Sequence, residues 1–304
     1  MKLGFLSAIV GFMSFEQVID TASSLGYRCV ELACWPREEA SRRYAGVSHL
    51  NVAELDDAQI AQIQDYCRAK GVEISSLGYY PNNLDEDLER RRYFHNHLYT
   101  VIEASARLGI NMVTTFVGRM QTKTIEENFE EFAKVWPAII KFAEERGVKI
   151  AIENCPMLFS RDQWPGGHNI ASTPANWRKM FEIIDSPNFG LNYDPSHFVW
   201  QQMDYIKPIY EFKDKIFHIH LKDTRIERDR LNDVGIMAYP LQYMTAKIPG
   251  LGEINWGRFV SALTDIGFDG PACVEVEDRA FEDSEESVLK SLKLSKRYLE
   301  QFII

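Results

Sequence analysis

The sequence predicts an α/β protein, a (β/α)8 barrel spanning residues 1–304 as a single domain. Three observations point there. Eight short strand-like runs alternate with helical patterns. No stretch of linker composition separates them. The competing architecture, a doubly wound open sheet, needs fewer strands and usually a glycine-rich phosphate turn after the first, which this chain lacks.

The strand-like runs fall near residues 2–6, 29–34, 72–77, 112–117, 148–153, 189–194, 215–221 and 272–277. Lys2 followed by Leu3 to Phe15 loosely mimics a signal peptide. Gly4, Ser7, Gly11 and Ser14 interrupt it, however, and no small-x-small cleavage site follows, so it reads as a first strand and a turn. Ser14-x-x-Gln17 and Thr124-x-x-Glu127 fit capping boxes at helix starts. Ile60, Ile63, Tyr66 and Cys67 recur at helical spacing, as do Phe94, Leu98, Val101 and Ile102, and then Phe129, Phe132, Val135 and Trp136. Pro137 should kink or restart the fourth helix. Gly26, Gly71, Gly109, Gly147 and Gly267 each end a helical pattern before the next strand. Residues 154–172 and 223–254 are too long for plain turns. Both would lie on the face where barrel enzymes keep their active sites, as candidate lids or substrate loops.

Composition narrows the function classes. Hydrophobic residues make up 45% and charged residues 26% of the chain, ordinary for a globular protein with a large core. A formal charge of −10, with no long basic block, disfavours a nucleic-acid partner. No apolar run reaches the roughly twenty residues that span a bilayer. The five cysteines show no CxxC or paired spacing, which suggests reduced, buried thiols in a cytoplasmic protein.

Four runs in the second half each end in a metal-ligand type: Lys149–Glu153, Gly190–Asp194, Ile216–His220 and Ala272–Glu275. Burying a carboxylate is costly unless a partner neutralises it. Four such groups at equivalent strand ends suggest one shared partner, a divalent cation. Glu153, Asp194, His220 and Glu275 are therefore the candidate ligands. Three carboxylates and one imidazole suit Mn2+ first, then Mg2+ or Co2+, with Zn2+ less well matched. Alternation puts His218, His220 and Lys222 on one face. His220 is the better ligand, His218 a deeper hydrogen-bonded core residue. Lys222 either snorkels to the rim or meets an anionic substrate group. Glu277 is expected at the rim, and Trp35, Trp164 and Trp256 near predicted loops are candidate stacking platforms for a substrate ring. Arg119, just past strand four, is either an anion ligand or half of a surface ion pair.

The chain resembles the xylose isomerase-like TIM-barrel superfamily, in particular its bacterial sugar phosphate isomerase/epimerase group. The resemblance rests on Val30-Glu31-Leu32, Ile152-Glu153-Asn154 and Asn192-Tyr193-Asp194-Pro195-Ser196-His197. It continues through His220-Leu221-Lys222-Asp223-Thr224, the run from Ile248 to Trp256, and Val274-Glu275-Val276-Glu277-Asp278. It implies a divalent ion held by Glu153, Asp194, His220 and Glu275, with His197 and Arg225 touching substrate. It also implies a small sugar or polyol substrate and a homo-oligomer. Trp164-Pro165-Gly166-Gly167-His168 has no counterpart in the epimerases, which leaves the substrate open.

Glu153 and Glu275 come from non-adjacent strands and can approach a sugar from opposite faces, one removing a proton and the other returning it through an enediolate. Isomerisation or epimerisation is the expected reaction, with an inosose-type dehydration as the alternative. A type-four AP endonuclease-like hydrolase is a more distant one, because the early strands offer no histidines for a three-zinc cluster.

Overall fold

The computed structural model describes residues 1–36, 44–158, 164 and 166–303. Among these residues eight parallel strands close into a barrel. In chain order they are β1 (Lys2–Leu6), β2 (Cys29–Ala33), β3 (Glu73–Gly78), β4 (Met112–Thr115), β5 (Lys149–Glu153), β6 (Phe189–Tyr193), β7 (Ile216–Leu221) and β10 (Pro271–Val274). Each neighbours its sequence successor, and β1 pairs with β10 to close the ring. All eight expected runs are present. The last ends at Val274, so Glu275 and Glu277 stand just beyond it.

Helices fill the outer layer where the periodicities place them: α1 (Phe15–Leu25), α2 (Asp57–Lys70), α3 (Leu88–Arg107), α4 (Ile125–Glu144) and α5 (Pro174–Ile183). Then come α6 (Ser196–Trp200), α7 (Lys207–Glu211), α8 (Arg228–Val234), α9 (Trp256–Asp265) and α10 (Glu285–Leu299). Both expected capping boxes form, at Ser14–Gln17 and Thr124–Glu127. Gly26, Gly71, Gly109, Gly147 and Gly267 all take positive φ between 65° and 78°, the left-handed conformation that lets a helix stop and turn into a strand. Pro137 does not restart α4, which runs through it as one 20-residue helix. Residues 223–254 contain an antiparallel hairpin, β8 (Asp223–Ile226) with β9 (Met244–Lys247), and α8.

Inside the ring, side chains from facing strands fill the space. Gly4 on β1 is required for this, because a Cβ there would lie 2.5 Å from Cys29 O and 2.9 Å from Cys273 Sγ. Two register shifts interrupt the otherwise regular ladder. One falls between Val30 and Glu31, so that Glu31 opposes Ser76; the other falls between Leu191 and Asn192, so that Asn192 opposes His218. An extra residue in one strand re-aims the side chains beside it. Here both irregularities sit beside the polar groups described next.

Candidate functional site

Each of the last four barrel strands delivers one polar group at its C-terminal end. Glu153 is the final residue of β5, Asp194 and Glu275 directly follow β6 and β10, and His220 is the penultimate residue of β7. Parallel strands end at a common mouth, so these side chains meet. His220 Nδ1 lies 3.4 Å from Glu275 Oε2 and 3.9 Å from Glu153 Oε1. Asp194 joins through two cations. His197 Nε2, on α6, lies 3.2 Å from Asp194 Oδ2 and 3.4 Å from Glu153 Oε1. Lys222 Nζ lies 3.1 Å from Asp194 Oδ2 and 2.8 Å from Glu275 Oε2. All six residues are buried.

Four atoms in this cluster are buried without a hydrogen-bond partner: Glu153 Oε1, Asp194 Oδ2, His197 Nε2 and His220 Nδ1. Folded interiors seldom leave such groups unmade. Other atoms of three of these residues are held. Asp194 Oδ1 accepts from Ser196 N at 2.8 Å, His197 Nδ1 accepts from Trp200 Nε1 at 3.4 Å, and His220 Nε2 bonds Glu31 Oε2 at 2.7 Å. The remaining atoms face a shared space. Donor atoms of Glu153, His220 and Glu275 all lie within 4.8 Å of one another, close enough to share one ion. The same limit is met by Glu153, Cys155 and His197, and by Glu31, His218 and His220. In that last group the close Nε2···Oε2 contact is already a hydrogen bond. The donor set fits a hard divalent cation, with Asp194 drawn toward Lys222.

Electrostatics follow from the packing. Burial alone would raise the carboxyl pKa values. Instead the neighbouring imidazoles of His197 and His220, with the charge of Lys222, bring Glu153 down to about 2. For Asp194 the Lys222 charge does most to overcome burial and lower it. Burial disfavours the charged Lys222 and His220, yet surrounding carboxylates raise both: Glu275, Glu277 and Asp194 for Lys222, and Glu31 first for His220. Lys222 therefore neither snorkels freely nor stands idle. Its ammonium binds three carboxylates, the third being Glu277 Oε2 at 3.1 Å. Removing one partner from such a buried set costs several kcal/mol.

A family model described as the xylose isomerase-like TIM barrel matches residues 19–298. The chain belongs to that family. An inosose dehydratase of Clostridium perfringens is 19% identical over 218 residues, covering 69% of this chain and 71% of that protein. Among solved structures, the IolI protein with a bound zinc atom has a TM-score of 0.72 at 19% identity, covering 100% of this chain and 99% of that one. A D-psicose 3-epimerase with D-tagatose from Clostridium cellulolyticum H10 has a TM-score of 0.70 at 16% identity, again over 100% and 99%. At these identities the two structural likenesses are likenesses of fold.

Within this xylose isomerase-like barrel, Glu31 is the polar residue whose place at the site the strand-end pattern misses. It is fully buried on β2. Its Oε1 accepts from Tyr80 OH and from Thr114 Oγ1 (2.6 Å), and its Oε2 takes the His220 Nε2–H. Burial would raise its pKa, but the charge and hydrogen bond of His220 bring it to about 2. The available signal was a lone acid within the apolar run Cys29–Ala33. His218 sits deeper, as expected, bonded through Nδ1 to Asn192 Oδ1 (2.9 Å) and through Nε2 to Ser75 Oγ (3.2 Å).

Arg225 is not brought to the cluster. Alternation along β8 buries Thr224 and Ile226 and leaves Arg225 exposed, where it bonds Glu227 Oε1 at 2.7 Å. Trp256 is no stacking platform: it is buried in the core and donates Nε1–H to Asp223 Oδ2 at 2.9 Å. Trp164 donates to Met237 O (3.1 Å) and packs near Trp200, so it joins the two long segments over the mouth. Pro165, in the motif that departs from the epimerases, lies outside the described residues.

Proposed function

We propose that the chain is a divalent-metal-dependent isomerase or epimerase of a small sugar or sugar phosphate, working by proton transfer through an enediolate. The observation that carries this reading is the convergence of donor atoms from Glu153, His220 and Glu275 within 4.8 Å of one another, with Asp194 held beside them by Lys222 and His197. These four residues would hold the ion, Mn2+ being best matched to three carboxylates and one imidazole. When bound, the ion supplies Lewis-acid polarisation of a substrate carbonyl and its neighbouring hydroxyl.

The chain's own residues supply the proton chemistry. In the ring order β6 and β7 lie between β5 and β10, so Glu153 and Glu275 flank the centre from two sides. One carboxylate takes the proton beside the carbonyl and the other returns it. Return to the same carbon from the opposite face inverts it; return to the neighbouring carbon interconverts aldose and ketose. His197 Nε2 is aimed at the same space and would donate to a substrate oxygen, with its ring fixed by the Trp200 bond. Lys222 would hold another oxygen.

Lys222 also favours a second reading. A buried ammonium 2.8 Å from Glu275 would hold a departing hydroxyl while the carboxyl group that took the carbon-bound proton returns it to that oxygen, which is what loss of water from an inosose-like ring requires. A three-metal hydrolase finds no such support. His49, His95 and His97 spend their Nε2 atoms on the backbone oxygens of Ser7, Asn83 and Cys34. A cytoplasmic setting with no nucleic-acid or membrane partner completes the proposal.

The test is a screen of ketoses, inososes and their phosphates with Mn2+, following exchange of carbon-bound hydrogen with solvent and identifying the product. E153Q and E275Q should each lose on the order of 10²–10⁴-fold in turnover. D194N and H220A should also lose metal. Near-normal turnover by metal-depleted protein would defeat the proposal.

A further inference from the structure

Arg119 stands in the segment after β4, next to β5 in the ring, and its backbone is unusually constrained. Its N–H donates to Asn82 Oδ1 at 2.7 Å, while Asn82 Nδ2 donates to its carbonyl at 2.9 Å. The preceding residue, Gly118, has φ +94° and no room for a Cβ, which would fall 2.4 Å from Asn82 Oδ1 and Leu84 N. Gly118 N–H donates to Asn169 Oδ1 (3.3 Å), and Asn169 Nδ2 donates to the carbonyls of Glu153 (2.9 Å) and Cys155 (2.7 Å). One asparagine thus ties the base of Arg119 to the backbone of Glu153.

The side chain is held less completely. Nη1 donates to Gly166 O at 3.1 Å, and a Cβ at Gly166 would lie 2.6 Å from the Arg119 Cζ, so a side chain there would push the guanidinium aside. Nε is buried with no partner. Among the described residues no carboxylate pairs with this guanidinium. By contrast Arg91, Arg107, Arg146 and Arg178 each reach a carboxylate within 2.8 Å. In a chain with 44 acidic and 34 basic residues, a half-buried arginine with no acid against it among the described residues stands apart from these four. Burial lowers the pKa of Arg119.

We propose that Arg119 is a specificity residue whose free Nε–Nη2 edge takes a phosphate or carboxylate on the substrate, so that the preferred substrate is an anionic polyol ketone. That edge is the bidentate fork that matches either anion. The assignment rests on the proposed reaction only for where the rest of the substrate sits. The segment carrying Gly166 is the one that departs from the epimerase pattern, which is where a changed substrate group would be recognised.

Three ligands that share a carbon chain test it: D-glucitol, D-gluconate and D-glucitol 6-phosphate, titrated calorimetrically into the full chain with and without Mn2+. Wild type should bind at least one anion tenfold or more tighter than glucitol, and the anion chosen names the substrate class. R119Q should erase that preference and R119K should keep part of it. Gly166→Ala, which displaces the guanidinium without removing it, should weaken it too. Equal binding of all three ligands by wild type, or an anion preference that survives R119Q, overturns the proposal. Failure of the proposed reaction would show separately, as protein that holds no Mn2+ at Glu153, Asp194, His220 and Glu275 while the metal-free titration still reads Arg119. If R119Q does not fold, G166A and R119K decide the matter.

Discussion

Glu31→Gln changes one atom of a fully buried side chain and should act on metal affinity before anything else. In the wild type, Oε2 of Glu31 takes the Nε2–H of His220 at 2.7 Å. That holds a proton on Nε2, so Nδ1, which faces Glu153 and Glu275, is the nitrogen that would give up its proton to a metal ion. The amide of a glutamine can turn its NH2 toward His220. Nε2 must then accept, the proton moves to Nδ1, and the ligand atom is blocked. If the amide turns the other way, its oxygen still accepts, but the charge-assisted bond becomes a neutral one of roughly half the strength. Either outcome weakens the ligand. Partners of this kind change metal affinity by about 10–100-fold, or about 1.4–2.7 kcal/mol at 1.36 kcal/mol per decade. Competition with a chelator of known affinity measures it. Turnover at saturating Mn2+ should recover far more than in H220A. Wild-type Mn2+ affinity in E31Q would refute the argument, because it would mean that Glu31 does not set the state of His220.

The same carboxylate makes stability depend on pH. Its pKa falls from 4.5 in the unfolded chain to about 2 in the fold, so its contribution is complete above pH 4.5 and lost as pH falls toward 2; urea midpoints across that window should fall less steeply in E31Q. Lys222→Met strips the ammonium from Asp194, Glu275 and Glu277. Metal-free protein should lose about 3–5 kcal/mol, and saturating Mn2+ should raise its melting temperature more than it raises that of wild type. An equal rise in both would show that the ammonium and the ion do not compensate the same charges. Asp223→Asn replaces an acceptor oxygen within a clamp on the N–H groups of Thr224, Gly250, Ile254 and Trp256. It should cost about 1–3 kcal/mol for each group left unmade, read by chemical denaturation, with Asp223→Glu no better because the clamp has no spare room.

The fold and the polar ends of the strands were legible because each carries a local signal. An apolar run that stops at Glu153 or Asp194 announces both a strand and a charge that needs compensation. Positive-φ glycines such as Gly71 and Gly147 mark helix ends without any tertiary information. Arg225 was harder. Its distance along the chain from His220 is short, but the face it occupies depends on the hairpin pairing of β8 with β9, with Arg225 opposite Thr245. That register is set by residues some twenty positions away. Trp256 misled for a related reason: a tryptophan beside a predicted loop looks available until the Asp223 side chain is known to claim its N–H.

Glu31 shows what strand-end reasoning leaves out. The polar groups at the mouth come from β5, β6, β7 and the end of β10, whereas the residues that hold His220 in place come from β2, β4 and the turn after β3, through Glu31, Thr114 and Tyr80, with Asn192 of β6 3.0 Å from the same His220 Nε2. The barrel divides the work because it is closed. A side chain on β2 reaches one on β7 across the lumen, 189 residues away in sequence, only when the ring has formed. The shift between Val30 and Glu31 then brings this acid opposite Ser76 on β3. Precision at the mouth is thus a property of the whole ring. Substitutions in the first half of the barrel should alter metal affinity only through His220, whereas E153Q and E275Q in the second half should alter turnover itself.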